Sequence, residues 1–484
     1  MMAFVDSDFE QFTALNRLCN QPLRYRGINL INVLRNDIGL KMARALRNEG
    51  AQQSVWQGAR EVSGEAGHFT RLFLDNLKKS IYLFAPIGLK KKVVGTPKVF
   101  FYQSTKLPSV AGRLSQNHRL AILSNKRHFA DRTVWAPVTT WTDFWMSQRS
   151  AANYLPEVVA ALHANNIKLL AGDINMLAGD IANAISNINR AFRYLDLYQP
   201  DLVVVGGDNF LPPVAIVLAA KQRNIPTLSV QHGLDCERFF HEQIYSDHFC
   251  VWGEARAERC RKYSRHQPVT IHVTGCPEFD EIRPVTAPFG RMDKWLWLTR
   301  PHEPEKCCEP SRYPDEGAAI FASLLEAFVS FKAERFVIKA HPRDDTQPYR
   351  ALAARWGLAD RVVFVEGRGG VYEPIRDADV VFTEDSTSGM EAMFFGKPII
   401  HTHFSEASPS LPFVEYGAAL PGFCLTDING SLKQLRNAPI ELQQKLITGQ
   451  RRFLDDYAGP LDGHATQRIC SVIDGILANS LHKN

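Results

Sequence analysis

The sequence predicts an α/β fold made of two Rossmann-type, doubly wound domains that face a cleft. The chain has 484 residues, more than one ordinary hydrophobic core accommodates. From about residue 201 onward, short β-branched runs alternate with helical stretches, the pattern of parallel βαβ units. Glycines and polar residues follow several of these runs directly. Because α/β sheets bind ligands at the carboxyl ends of their strands, these residues are the candidates for a functional site.

The regular part of the chain gives a strand or a helix every ten to twenty residues or so, as βαβ units do. Its predicted strands are Leu202–Val205, Thr227–Gln231, His248–Trp252, Thr270–Thr274, Trp295–Thr299, Arg335–Lys339, Val362–Val365, Val380–Phe382 and Pro398–His401. Its predicted helices are Pro212–Arg223, Glu254–Tyr263, Asp315–Phe331, Gln347–Trp356, Val371–Arg376 and Ser388–Phe395.

The two ends of the chain are less regular. Before residue 200 the pattern predicts strands at Ser80–Phe84, Val99–Tyr102 and Leu120–Leu123 and a helical region over about 152–197. Helices at Glu441–Tyr457 and His464–Leu481 are expected to pack back across both halves. The stretch 283–291 has the Pro and Gly residues of a linker, so we expect domains at 1–288 and 289–484.

Composition narrows the class of protein. Apolar residues make up 45% and charged residues 22% of the chain, which excludes an intrinsically disordered protein. The amino terminus is acidic and does not resemble a secretory signal. The longest apolar run, Leu211–Ala220, is well short of the roughly 20 residues that a membrane-spanning helix needs. We therefore expect a cytoplasmic protein.

The cysteines and carboxylates do not predict a metal centre or a disulfide framework. The chain has 9 cysteines, an odd number, and contains no Cys-x-x-Cys pair. Paired carboxylates such as Asp377 and Asp379 have no other candidate ligands nearby in the pattern. We expect neither a metal nor another cofactor.

Positive charge is concentrated in the segment 71–106, where Asp75 is the only acidic residue and aromatic residues are interleaved with lysines. The segment is either a solvated basic face or a patch that meets anionic lipid headgroups, for example at the inner face of the cytoplasmic membrane. Nucleic acid is not an expected partner because no nucleic-acid-binding motif accompanies the charge.

The strongest motif is the stretch 378–400, read as a buried strand, a hydroxyl-rich turn, a short helix and the start of another strand. Backbone N–H groups and the positive end of a helix dipole at such a turn suit a phosphate or a ribose diol. A capping box between Ser388 and Glu391 is the structural alternative. Gly389 would leave room for a ligand. The candidate binding residues of this motif are Ser386, Thr387, Ser388, Gly389 and Glu391.

Basic residues follow two other predicted strands of the second domain. Lys339 and His341 stand at the end of Arg335–Lys339, and Arg300 follows Trp295–Thr299. His341 is a candidate donor to a phosphate, while Lys339 and Arg300 would add positive charge. A simple turn at Pro342 is the alternative.

In the first domain, Asp208 follows two glycines after the strand Leu202–Val205. It is either a cap of the next helix or a reactive carboxylate, acting as general base or nucleophile. His232 stands before a glycine at the end of the next strand, and His241 lies close behind it. We take Asp208, His232 and His241 as the candidate catalytic residues.

Five short motifs in order resemble those of bacterial surface-polysaccharide glycosyltransferases of the two-domain GT-B type. The nearest group is that of the capsule and lipopolysaccharide β-Kdo transferases, and the CDP-glycerol glycerophosphotransferases are similar. The motifs are Gln231-His-Gly233, Val251-Trp-Gly253, Val273-Thr-Gly-Cys-Pro277, Lys339-Ala-His-Pro342 and Thr383–Glu391 with Gly396-Lys-Pro398. The chain departs from the family at Cys276, where Asn is more usual.

The resemblance implies a cytoplasmic transferase that uses a nucleotide-sugar, with CMP-Kdo the expected donor and a lipid-linked or growing glycan the acceptor. It implies that the second domain binds the donor through His341, Ser386 and Ser388, and that Asp208 acts at the anomeric carbon with retention. Three alternatives stay open: a glycerophosphotransferase using CDP-glycerol, a UDP-sugar 2-epimerase, and a non-catalytic subunit of a polysaccharide assembly.

Overall fold

The computed structural model describes residues 13–50, 99–102, 107–118, 120–123, 141–234, 243–263, 268–285, 289, 292–301, 314–367, 370–404, 409–437 and 440–481. These residues form two parallel six-stranded sheets with helices, and a small two-stranded sheet. The predicted strand Ser80–Phe84 and nearly all of the basic segment 71–106 lie outside the described residues.

The first sheet lies in the first half of the chain. In chain order, the elements of this half are β1 (Arg24–Tyr25), β2 (Ile28–Asn29), α1 (Leu30–Gly50), β3 (Val99–Tyr102), α2 (Pro108–Leu114), β4 (Leu120–Leu123), α3 (Trp141–Ala164), α4 (Ala171–Tyr198), β5 (Leu202–Val205), α5 (Pro213–Gln222), β6 (Thr227–Val230), β7 (His248–Val251), α6 (Glu254–Tyr263) and β8 (Thr270–Val273). The strand order is β4-β3-β5-β6-β7-β8, so the order reverses between β3 and β5. Strand β5 is buried along its whole length, as a central parallel strand of Leu and Val should be.

The second sheet lies in the second half of the chain. Its elements are β9 (Lys294–Leu298), α7 (Pro314–Ser330), β10 (Arg335–Lys339), α8 (Gln347–Arg355), β11 (Val362–Val365), α9 (Tyr372–Asp377), β12 (Val380–Thr383), α10 (Thr387–Met393), β13 (Ile399–Thr402), β14 (Leu420–Gly422), α11 (Leu425–Arg436), α12 (Ile440–Tyr457) and α13 (Ala465–Leu481). The order is β11-β10-β9-β12-β13-β14 and reverses between β9 and β12. Aromatic rings fill its core, with Trp295 and Phe382 4.9 Å apart between ring centroids.

The chain crosses back to the first sheet at its carboxyl end. Residues Ile469, Cys470 and Ile473 of α13 pack in one core with strands β3 and β5 and helix α2. The Asp280 carboxylate accepts hydrogen bonds from the backbone N–H groups of Ala465 and Thr466, at 2.8 and 2.9 Å, and so caps α13. The last helix thus completes the core of the first domain.

Two glycines make this crossing possible. A Cβ at Gly253 would lie 2.0 Å from the carbonyl oxygen of Asp456, and a Cβ at Gly459 would lie 1.9 Å from that of Trp252. Backbone therefore packs directly on backbone, which only glycine allows. The motif Val251-Trp-Gly253 accordingly serves the packing of the carboxyl-terminal segment, and Cys276 of the next motif is buried beside Trp252 in the same core as Phe279.

All predicted strands that fall within the described residues are present, with bounds shifted by a residue or so. The sequence did not predict β1, β2, α1, α2, β14 or α11, and it predicted one helical region over about 152–197 where the structure has α3 and α4. The two sheets divide the chain between β8 and β9, on either side of the predicted boundary at residue 288.

Candidate active site

The candidate binding residues of the second domain lie at the carboxyl edge of its sheet, where the strand order reverses. Strand β9 lies between β10 and β12, so Arg300, His341 and Ser386 follow three adjacent strands. A crevice outside this reversal is where open α/β sheets bind their ligands. The predicted residues are therefore brought together by topology.

Arg300 connects the ends of β9 and β12. Its backbone N–H donates to Glu384 Oε1 at 3.3 Å, and its guanidinium donates to the carbonyl oxygen of Asp385. The side chain is buried, with 3% of Arg300 exposed. Arg300 thus positions the turn after β12 and carries a positive charge beneath it.

Lys339 and His341 hold the end of β10. The Lys339 ammonium donates to the carbonyl oxygen of Gly367 at 2.8 Å, and burial lowers its pKa. The backbone N–H of His341 donates to Thr299 Oγ1 at 2.9 Å. His341 Nδ1 accepts from the backbone N–H of Arg343 at 3.2 Å, so the neutral ring carries its proton on Nε2. His341 is half-buried and can offer that proton to an anion.

Ser386 is the cap of helix α10. Its backbone is extended and its Oγ accepts a hydrogen bond from the backbone N–H of Gly389 at 3.2 Å. The capping position is thus two residues before Ser388, so Ser388 and Glu391 lie inside the helix. Helix α10 has only seven residues, which leaves little macrodipole at its start. The hydroxyls of Ser386, Thr387 and Ser388 are half-buried at the edge of the crevice.

The space at Gly389 is used by the protein itself. A Cβ there would lie 2.8 Å from Thr383 Cγ2 and 3.2 Å from Phe413 Cε2. Glycine is therefore needed because α10 packs closely on the end of β12. The sequence interpretation, which reserved this space for a ligand, gave the wrong reason for the glycine.

A buried carboxylate that the sequence interpretation missed organises this edge. Asp385 is fully buried and accepts hydrogen bonds from the backbone N–H groups of Ser410 and Leu411 at 3.0 and 2.9 Å. His401 Nε2 lies 3.1 Å from its Oδ1, and His403 Nδ1 lies 3.6 Å from its Oδ2. A histidine inside the buried strand β13 was the signal in the sequence that could have revealed this cluster.

In the first domain, Asp208 is buried behind the end of β5, with 1% exposed. Its Oδ2 accepts from the backbone N–H of Tyr245 at 2.9 Å, and from the backbone N–H and hydroxyl of Ser246 at 2.7 and 2.6 Å. Burial raises the pKa of this carboxyl, while these hydrogen bonds and Arg256 act in the opposite direction. Asp208 does not cap helix α5, whose capping residue is Pro212.

His232 lies nearer to the second domain. It is exposed, with its ring centroid 6.2 Å from that of Phe210. Two residues later, the backbone N–H of Leu234 donates to Thr387 Oγ1 at 3.2 Å, and a Cβ at Gly233 would lie 3.7 Å from the same oxygen. The loop after β6, which carries His232, therefore contacts the turn after β12 across the cleft.

Other candidates are placed differently or not described. His241 lies outside the described residues. Glu391 is half-buried and raises the pKa of Tyr372 through its charge, after the larger effect of burial. Within the described part of the chain, no group of His, Cys, Asp and Glu side chains has a metal-binding arrangement. Among the same residues, no helix has the length and hydropathy that crossing a membrane requires.

No family model matches the sequence, and no curated protein matches it. Solved structures do match. The fold is GT-B-like. A putative UDP-N-acetylglucosamine 2-epimerase from Listeria monocytogenes is 16% identical, with a TM-score of 0.51 over 80% of this chain and 98% of that one. An S. aureus MnaA–UDP structure is also 16% identical, with a TM-score of 0.50 over 78% and 96%. The predicted arrangement of two Rossmann-type domains is thereby confirmed.

A glycosyltransferase from Rickettsia africae is 11% identical over 79% of this chain and 98% of that one. Its TM-score of 0.43 is too low to support an argument about this chain. At these identities the comparisons establish the fold and leave the chemistry of the cleft open.

Proposed function

We propose that the protein is a nucleotide-sugar-dependent glycosyltransferase whose donor binds in the crevice between β9 and β12. The single observation that carries the proposal is the contact between Leu234 and Thr387. It brings a loop with an exposed histidine, His232, against the hydroxyl-rich turn that follows β12. A transferase needs a donor site and a second reactant on opposite walls of one cleft, and this contact supplies both walls.

Three features support a diphosphate or monophosphate at the turn. His341 can donate from Nε2, and such a bond to an anionic oxygen is stronger than one between neutral groups. Lys339 and Arg300 add buried positive charge beneath the site. The hydroxyls of Ser386, Thr387 and Ser388 are suited to phosphate or ribose oxygens. Glu391 is the remaining candidate contact, with a ribose hydroxyl.

The finer proposal concerns the donor and acceptor. The motif resemblance supports CMP-linked Kdo as the donor and a lipid-linked or growing surface glycan as the acceptor, as in capsule or lipopolysaccharide synthesis. The S. aureus structure with a TM-score of 0.50 contains UDP, which makes a uridine donor the direct competitor. Calorimetric titration with CMP-Kdo, CMP-sialic acid, CDP-glycerol and several UDP-sugars decides between them. Binding of UDP-sugars alone would exclude the cytidine donor.

The catalytic roles of Asp208, His232 and His241 stay predictions. His232 is the exposed candidate beside the donor turn, so it is the proposed general acid or base. Asp208 accepts three hydrogen bonds on one oxygen, so its present arrangement supports the positioning of the loop at 245–246. A role as nucleophile would require this carboxylate, which is 1% exposed, to become accessible from the cleft.

A second candidate function is that of a UDP-sugar 2-epimerase. The Listeria structure supports it, because that protein carries the name of a putative UDP-N-acetylglucosamine 2-epimerase, and the S. aureus structure contains UDP. An epimerase converts one UDP-sugar in the absence of an acceptor. Proton NMR of single UDP-sugars with the enzyme therefore separates the two: epimerisation without acceptor would overturn the transferase proposal.

The basic segment 71–106 is proposed to contact anionic lipid, which would bring the enzyme to the inner face of the cytoplasmic membrane. The proposal rests on the sequence, because only 99–102 of this segment are described. Co-sedimentation with vesicles should require anionic lipid and weaken as salt rises. Equal binding to neutral vesicles would return these lysines to an ordinary solvated face.

A further inference from the structure

A cavity of about 700 Å³ lies in the first domain beside the amino end of β6, apart from the candidate active site. Its walls come from the β1–β2 hairpin, the last turn of α5, and the segment at 243–245. None of the predicted site residues lines it. Its volume falls within the range of about 300 to 1,000 Å³ that is usual for ligand pockets.

The hairpin wall is held in place by contacts with helix α4 and with the core of the first domain. Its two turn residues, Arg26 and Gly27, have φ of 49° and 81°, as a two-residue hairpin turn requires. The Arg26 guanidinium lies 4.3 Å from the ring centroid of Phe192, and the Tyr25 hydroxyl donates to Asn189 Oδ1 at 3.1 Å. Strands of two residues are marginal by themselves, so these contacts fix a wall that would otherwise move.

Carboxamide side chains dominate the chemistry of the cavity. Five of them make no hydrogen bond with any other residue in the described part of the chain: Asn20, Gln21, Asn32, Gln222 and Asn224. Each offers two N–H donors and a carbonyl acceptor. Leu218, Ile28 and Pro22 add apolar surface between them. Such a lining matches a ligand with many hydroxyl groups and exposed C–H faces.

Other ligand classes fit less well. The described lining residues include no carboxylate and no histidine, which disfavours a metal ion. Lys221 is already paired with Asp247 at 2.8 Å, so Arg24 is the main cation for a phosphate. Tyr245 is 2% exposed and offers no open ring on which a nucleobase could stack. A carbohydrate chain remains.

We propose that this cavity is an oligosaccharide-binding site that holds a segment of glycan away from the cleft. A hydrogen bond connects a wall of the cavity to a candidate catalytic residue. The backbone N–H of Tyr245, which lines the cavity, donates to Asp208 Oδ2 at 2.9 Å. Glycan binding itself stands without the transferase activity; its use as an anchor for the acceptor polymer rests on the proposed function.

The experiment measures binding of two defined probes, neutral maltohexaose and a hexamer of polysialic acid, by saturation-transfer NMR and calorimetry. The double variant Asn32→Ala with Gln222→Ala removes two unpaired carboxamides and should weaken binding roughly tenfold or more. Gln434→Ala on α11 removes an exposed carboxamide from the second domain and should leave affinity unchanged.

Two results would overturn the inference. One is that neither probe binds at millimolar concentration to a protein that still binds nucleotide in the cleft. The other is that a probe binds the double variant as tightly as the unaltered protein. Neither result would contradict the proposed transferase activity. Glycan binding by a protein that does not bind nucleotide would contradict the transferase proposal and still support the glycan site. In a transfer assay, the double variant should raise KM for a polymeric acceptor and leave KM for the donor unchanged.

Discussion

Each domain has a buried aspartate at the carboxyl edge of its sheet, and the two aspartates differ in their hydrogen-bond partners. Asp208 after β5 and Asp385 after β12 are both buried carboxylates that accept hydrogen bonds from two consecutive backbone N–H groups of a distant loop. In the first domain, the additional donor is the Ser246 hydroxyl. In the second, it is the His401 ring.

The different partners suggest different roles for the two aspartates. All donors to Asp208 come from residues 245 and 246, so the Asp208 cluster braces that loop. In the Asp385 cluster the His401 ring lies against the carboxylate, and the Arg300 guanidinium donates to the backbone carbonyl oxygen of Asp385, so the cluster lies beside a buried positive charge at the donor turn. Since Ser386 and Thr387 follow Asp385 directly, substitutions at the second edge should affect nucleotide binding more than substitutions at the first edge.

The largest effect is expected from Asp385→Ala. The change leaves two backbone N–H groups and the His401 ring without their acceptor inside the core, and breaking such a buried network costs about 3–5 kcal/mol. Urea unfolding should show this loss, and calorimetry should show that nucleotide binding is abolished. Asp360→Ala, at an exposed site of the same domain, should change neither. A stable Asp385→Ala protein that still binds nucleotide would contradict the larger role assigned to the second edge.

Asp208 gives the next effect, and two substitutions divide its roles. Asp208→Ala should cost about 2–3 kcal/mol, because buried donors lose their acceptor. Asp208→Asn keeps a carbonyl oxygen for them and should remain close to the unaltered stability. Transfer assays on the stable Asn variant are the critical measurement. Retained activity would assign Asp208 to positioning, and loss of activity in a folded protein would assign it to the reaction.

A matched pair tests the additional donors. His401→Phe keeps an aromatic ring beside Phe413, whose centroid is 4.9 Å away, but removes the Nε2 donor. Ser246→Ala removes the hydroxyl donor at Asp208. We expect each to cost about 1–2 kcal/mol in urea unfolding. His401→Phe should also lower nucleotide affinity, because Asp385 precedes the donor turn directly, and Ser246→Ala should not. Equal effects on affinity would contradict a link between the Asp385 cluster and the donor turn.

Thr387→Val tests the contact between the domains. Valine keeps the shape of threonine but removes the oxygen that accepts from Leu234, at a cost of about 0.5–1.5 kcal/mol. We expect little change in unfolding of either domain, and a rise in KM for the acceptor and for the donor, because Thr387 is also a candidate donor contact. Unchanged kinetics would mean that the contact is incidental.

The smallest effect is a dependence on pH. Burial raises the pKa of Asp208 above its usual 3.8, so the folded protein holds this proton to higher pH than the unfolded chain. Between the two pKa values, stability therefore falls as pH rises, and the cost is complete above both. Asp208→Asn lacks this titration. The difference in unfolding free energy between the unaltered protein and Asp208→Asn should shift in favour of the variant as pH rises from 4; a constant difference would contradict the shifted pKa.

The sequence predicted most of the second domain because its strands are local patterns. Val380–Thr383 is apolar and buried along its length, and a hydroxyl-rich turn marks its end. Asp385 was missed because its partners, Ser410 and His401, are distant in sequence and form no local pattern with it. The alternative of a capping box at Ser388 and Glu391 fits the capping spacing, but the backbone places the cap two residues earlier, at Ser386.

In the first domain, the hairpin β1–β2 escaped prediction since strands of two residues have no periodicity. Asp208 was found, but its burial could not be, because the segment that encloses it lies about forty residues further along. Candidate positions at strand ends can thus be predicted from one sequence, while exposure and hydrogen-bond partners depend on the tertiary fold.

The return of α13 to the first sheet has a consequence for synthesis. The first domain cannot complete its core until α13 has been synthesised, because Ile469 and Ile473 pack beside β3 and β5. During translation the second domain can complete its core before the first domain does, although most of the first domain is synthesised earlier. A chain that stops short by one helix should therefore leave the amino-terminal half, and not the half it shortens, exposed to chaperones and proteases.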